Sequence, residues 1–201
     1  MKKIFKVGVL VFCMALLGGC GTKSQFVEEE ITDANVLESL NESAIENVNK
    51  YFGITVDQSV EMEIKAVKNV PVEKYADTLP ETIVFTAQRK EDPKEGDLYS
   101  YAVMQDDETK ELKGMFISVY SEKEAKEYTE DELKQIVETF IKEKSLAKEG
   151  EAITFEKMQD YNGAKYIKSL IYTCGDTPVL LNVNLQDGQV MSFECALQKV
   201  K

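Results

Sequence analysis

The spacing of apolar residues changes from a helical to a strand period twice along the chain. Val36, Leu37, Leu40, Ala44, Ile45, Val48, Tyr51 and Phe52 recur every three or four positions, which predicts a helix with one buried stripe. Thr32 and Asp33 precede it as N-caps, and Gly53 supplies a stop. From there alternate residues are apolar, the period of a half-buried strand, over Val60–Ala66, Thr82–Arg89, Leu98–Gln105 and Leu112–Tyr120. A second helix begins at Thr129, where Glu132 completes a capping box and Tyr128 faces Leu133 as a hydrophobic staple. Leu133, Ile136, Val137, Phe140 and Ile141 form its inward stripe. Alternation then resumes over Ala152–Gln159, Ala164–Cys174, Val179–Gln186 and Gln189–Leu197, with Asp187-Gly188 predicting a two-residue hairpin turn. The pattern reads α-β-β-β-β twice, with a break near Ser121–Tyr128. The expected class is α+β, as two tandem units of one helix on an antiparallel sheet, residues 32–121 and 122–201. Separate lobes, a shared longer sheet and one irregular α+β domain all remain compatible with this order.

The start of the chain follows another plan. Lys2, Lys3 and Lys6 precede an apolar run from Val7 to Leu17, too short for a stable membrane span. Small residues follow, so residues 1–19 read as an export signal. Leu17-Gly18-Gly19-Cys20 resembles the lipobox of bacterial lipoproteins. That resemblance implies cleavage between Gly19 and Cys20 and diacylation of the Cys20 thiol. Two chains, at about 0.8 kcal/mol for each buried CH₂, anchor stably where one is marginal. Residues 20–31, with Glu28, Glu29 and Glu30 in succession, read as the lipid anchor and a flexible, solvated tether. The expected location is the extracytoplasmic face of the cell membrane.

The run Val183-Asn184-Leu185-Gln186-Asp187-Gly188-Gln189-Val190-Met191-Ser192-Phe193 resembles the closing hairpin of PepSY-type domains. The second unit carries the likeness. In the first, the corresponding turn Asp106–Glu111 is longer and has no glycine. The resemblance implies a small extracytoplasmic module that binds or inhibits a peptidase. A cystatin-like helix-on-sheet fold fits the same pattern.

Chemistry-bearing motifs are sparse. The 201 residues contain no histidine, which removes Ser-His-Asp and Cys-His catalysis and imidazole metal sites. No G-x-S-x-G, P-loop or G-x-G-x-x-G occurs. Gly188 and Glu194 have the spacing of a calcium loop, but Val183 and Leu185 occupy its first ligand positions and offer no oxygen ligand from their side chains. The expectation is a non-catalytic protein without cofactor or metal, a hydrolase built on two carboxylates being the remaining enzymatic alternative. A formal charge of −12, more negative once the three signal lysines are removed, opposes binding to nucleic acid.

Cys174 and Cys195 are the two cysteines left beyond Cys20 in the exported part, so a disulfide between them is chemically permitted. A simple meander would put a strand between them, beyond ordinary bridging distance, and the alternative is two buried small hydrophobes. The long connection Asn69–Glu81, with Pro71, Tyr75, Leu79 and Pro80, is a candidate recognition loop or a tethered crossover. Tyr99 and Tyr101 share a parity with Val103 and read as a core pair or an aromatic platform. Glu91–Asp97 and Asp106–Glu111 read as hairpin tips. The function expected from these features is binding or modulation of a protein or peptide partner at the membrane face; a small-ligand or glycan-binding accessory is the alternative.

Overall fold

Both helices begin where a side chain takes over backbone N–H groups that the first turn leaves unpaired. In α1 (Ala34–Phe52) the Asp33 carboxylate accepts from the N–H of Asn35 and Val36, and Gly53 closes the helix at φ +69°. In α2 (Glu130–Glu143) Thr129 and Glu132 form the capping box reciprocally. The computed structural model describes residues 25–161 and 164–197. Nine strands accompany the helices: β1 (Phe26–Ile31), β2 (Met62–Pro71), β3 (Thr82–Arg89), β4 (Leu98–Asp106) and β5 (Leu112–Val119) in the first half, then β6 (Ile153–Asp160), β7 (Ile167–Cys174), β8 (Thr177–Asn184) and β9 (Gln189–Cys195).

The strands do not close into two tandem helix-plus-sheet units. They form one nine-stranded antiparallel sheet in the order β1-β2-β3-β4-β5-β9-β8-β7-β6. The junction is β5 against β9, where Gly114 faces Glu194, Met115 faces Phe193 and Phe116 faces Ser192. Two separate sheets would each expose an edge rich in apolar residues at this point; pairing removes both edges. Gly114 permits the close approach, because a Cβ there would stand 3.0 Å from the Phe193 carbonyl oxygen.

Both helices lie on the same face and share one core. Ala44 and Val48 of α1, and Leu133, Val137 and Ile141 of α2, belong to one buried cluster with Phe85, Tyr101, Met115, Leu170, Tyr172, Leu181 and Phe193. The helices meet above the junction. Phe52 stacks on Phe140 with ring centroids 5.9 Å apart, and Tyr51 and Phe140 lie 5.1 and 6.0 Å from Phe193. Full burial of each such aliphatic or aromatic side chain stabilises by about 1.5–3 kcal/mol, so the contacts across the junction belong to the main core. The segment expected as a break is docked too: the Lys126 N–H donates to the Leu185 carbonyl, and the Gln186 amide donates to the carbonyl of Lys123.

Three local expectations are also corrected. Phe26–Ile31, taken as tether, is an edge strand paired with β2 from Phe26↔Pro71 to Ile31↔Ala66. Phe26 is buried while the three glutamates point to solvent, so the charge run marks a protected sheet edge. The last hairpin closes at Asn184↔Gln189 around four residues, with Gly188 at φ +75°. Strand β2 continues to Pro71, taking in the start of the connection that had been assigned to the loop.

Candidate functional site

The sheet face opposite the helices carries the polar positions of the alternating strands. Three of them form a hydrogen-bonded line across β7, β8 and β9. Ser169 donates to the Asn182 side-chain oxygen at 2.6 Å, and the Asn182 amide donates to Ser192 Oγ at 2.7 Å. Ser169 and Ser192 are buried, so each hydroxyl depends on this line for its partner.

A cleft of about 670 Å³ opens on this face, where β3 ends, β4 begins, β5 ends and β9 begins. Its floor includes Gln88, Phe116, Ser118, Asn182 and Ser192, and Tyr120, Tyr161, Tyr166, Asn184, Gln186 and Gln189 also line it. Tyr99 lines it as well, with its hydroxyl accepting from the Gln88 amide at 2.6 Å. Arg89 stands in the wall, ion-paired to Asp97 at 2.8 Å, while its Nε–H is buried without a hydrogen-bond partner among the described residues. The lining is therefore aromatic and amide-rich, with Arg89, Lys90 and the carboxylates Glu63, Glu91, Asp92 and Asp187 also contributing to it.

The position of Tyr99 depends on a β-bulge. Leu98 pairs with Val119 and Ser100 with Ser118, which leaves Tyr99 as the extra residue. The bulge reverses its parity. Tyr101 remains in the core, 1% exposed, and donates its hydroxyl to Asn41 at 2.7 Å; burial pushes its pKa up to about 12. The two tyrosines thus lie on different faces, so their spacing yields neither a core pair nor a shared platform: Tyr101 is core and Tyr99 lines the cleft.

The connection after β2 lies at the other end of the strands. Pro71 closes β2, Glu73–Tyr75 forms one 3-10 turn, Tyr75 and Leu79 are half-buried, and Pro80 is buried. The N–H groups of Tyr75 and Leu79 are bonded to Val72 and Tyr75 carbonyls, and because β2 and β3 pair directly the segment is a packed hairpin connection, not a crossover. Lys68 bridges it to the next turn, 2.6 Å from Glu81 and 2.7 Å from Asp107, and these partners raise its pKa. Of the two acidic stretches, Glu91–Asp97 reaches the cleft mouth through Glu91 and Asp92, whereas Asp106–Glu111 caps its own turn at the far end.

Cys174 and Cys195 are both free thiols, on strands separated by β8. Cys174 is buried, Cys195 is half-buried, and burial pushes the Cys195 thiol up to about 11. Gly19 and Cys20 lie outside the described residues. Among the described residues, no three His, Cys, Asp or Glu side chains are grouped to hold a metal ion, and no helix is long and apolar enough to cross a membrane.

Of the residues that build the cleft, Tyr99 is legible in sequence as part of a pair, Glu91–Asp97 as a hairpin tip and Asn184–Ser192 as part of the closing hairpin, and none of them as a cleft. A usable signal was present in β8, where Asn182 and Asn184 alternate with Leu181 and Val183. Amides at such positions read as an ordinary solvated face unless the neighbouring strands are known. No protein-family profile, curated protein or solved structure gives a significant match to the chain. The PepSY-type and cystatin-like resemblances find no support in those comparisons, and the continuous sheet differs from the separate units they implied.

Proposed function

We propose that this protein is a non-catalytic lipoprotein of the extracytoplasmic membrane face that holds a segment of a protein or peptide partner in the cleft. The observation that carries the reading is the cleft lining. Amides and tyrosine hydroxyls offer donors and acceptors to a peptide backbone, and aromatic rings offer amphipathic contact at low entropic cost. A chain without histidine favours binding over turnover, and the carboxylates that line the cleft, Glu63, Glu91, Asp92 and Asp187, are all solvent-exposed. The four cleft tyrosines also suit the faces of a sugar ring, which supports a glycan as the second reading.

The test is a photo-cross-linker placed at Gln189, which is exposed at the cleft, and at Glu38, exposed on α1. In intact cells a discrete protein adduct is expected from Gln189, absent from Glu38, and lost when Tyr166→Ala is added. A wall-polymer adduct would favour the glycan reading, and equal labelling from both positions would reject the cleft. Cys20→Ala is expected to release the protein from membranes; retention there would refute lipid anchorage.

A further inference from the structure

The start of β1 and the cleft lie at opposite ends of the strands, and this constrains how an anchored molecule can stand. Phe26 pairs with Pro71 at the last residue of β2, and the Val72 N–H donates to the Gln25 carbonyl at 2.9 Å. The chain therefore enters the sheet beside the Val72–Pro80 connection, at a corner fixed by a six-residue register. Cys20 precedes Phe26 by six residues, a reach of about 20 Å when fully extended. Strand β2 then carries the sheet about 30 Å from that corner to Met62, on the level of Arg89 and the cleft. The leash is shorter than the strand.

We infer that the protein stands on the bilayer on the corner formed by the start of β1 and the Val72–Pro80 connection, and presents its cleft away from the membrane. The inference rests on the proposed lipid anchor at Cys20. It gives this β2–β3 connection a different role from partner recognition. Half-buried Val72, Tyr75 and Leu79, with the Lys74 amine 5.2 Å from the Tyr75 ring centroid, form the amphipathic kind of surface that sits at headgroups. Glu73 and Asp77 leave this corner without net positive charge, so the leash sets the orientation. A partner of the cleft is consequently a segment reaching the molecule from outside the bilayer, not a lipid or the membrane-embedded part of a protein.

The full-length acylated protein in phosphatidylethanolamine–phosphatidylglycerol vesicles provides the test. A donor dye is attached through Asp77→Cys in one variant and Asp92→Cys in another, both positions being exposed. Cys174 is buried and burial holds the Cys195 thiol protonated, so the new thiol is labelled selectively. With an acceptor on lipid headgroups, transfer from position 77 should exceed that from position 92 at least about twofold, for a height difference of roughly 25 Å. Equal transfer, or greater transfer from position 92, overturns the orientation. Failure of the unlabelled protein to float with vesicles instead overturns the anchor reading and the inference resting on it. Unchanged thermal melting of both labelled variants establishes that the comparison is between folded molecules.

Discussion

Glu194 makes the stability of this protein fall as pH rises through the weakly acid range. The residue lies on β9 between Gly114 of β5 and Leu180 of β8, is 8% exposed, and forms no side-chain hydrogen bond among the described residues. Burial disfavours its charged form and pushes its pKa from 4.5 to about 7. Below pH 4.5 the carboxyl is protonated in both folded and unfolded chains, so it imposes no penalty. Between 4.5 and about 7 the unfolded chain releases the proton while the folded one keeps it, and stability declines. Above about 7 the folded state holds a buried carboxylate and the full penalty applies. At about 1.36 kcal/mol per pH unit, this amounts to roughly 3 kcal/mol. Asp106 and Asp107 act with the opposite sign and in stronger acid. Burial of Asp106 opposes its ionisation, but N–H groups from Thr109 and Glu108 hold it below 3.8; Lys110 and Lys68 do the same for Asp107. Glu194→Gln keeps the side chain neutral at every pH. Urea unfolding followed by far-ultraviolet circular dichroism should show a wild-type loss of roughly 3 kcal/mol between pH 4.5 and about pH 8, a midpoint shift of roughly 1–2 M. The variant should be level over this range and the more stable protein at its upper end. The same slope in both proteins, or a variant less stable than wild type near pH 8, would refute the assignment.

Two further substitutions, with a third as control, probe the cleft floor and the last hairpin. Asn182→Ala should cost about 1–3 kcal/mol in denaturant unfolding, because it strands the buried hydroxyls of Ser169 and Ser192; a change under about 0.5 kcal/mol would mean that the line is not structural. Gly188→Ala should cost about 1–2 kcal/mol from left-handed strain and more from Tyr128, whose hydroxyl would stand 2.5 Å from the new Cβ. Gly96→Ala has the same sign of φ with nothing within 4 Å, so it isolates the strain, and equal losses at the two glycines would dismiss the Tyr128 contact.

Periodicity located the elements and failed at their association, for a reason visible in particular residues. The apolar alternation of Met115 and Ile117 on β5, or of Phe193 on β9, says that each strand has one buried face. That alternation is the same whether the strand ends a sheet or continues into another one. What joins the halves is the edge pairing of Gly114–Phe116 with Ser192–Glu194, between segments some 80 residues apart. Gly114 is the local clue, a residue without a side chain in an otherwise well-filled strand, and its meaning depends on the partner strand. The same limit hid the cleft. Tyr99 changes face because one extra residue is accommodated opposite Val119 and Ser118, and a bulge is invisible to a period-2 reading until the register is known. Phe26–Ile31 failed for a different reason: three consecutive glutamates satisfy the composition of a tether and equally the charge that protects an exposed sheet edge. Because that strand is fixed to β2, only the residues before it are left as leash. On the proposed lipid anchor at Cys20, so short a leash gives the molecule a near end and a far end, and places the cleft at the far one.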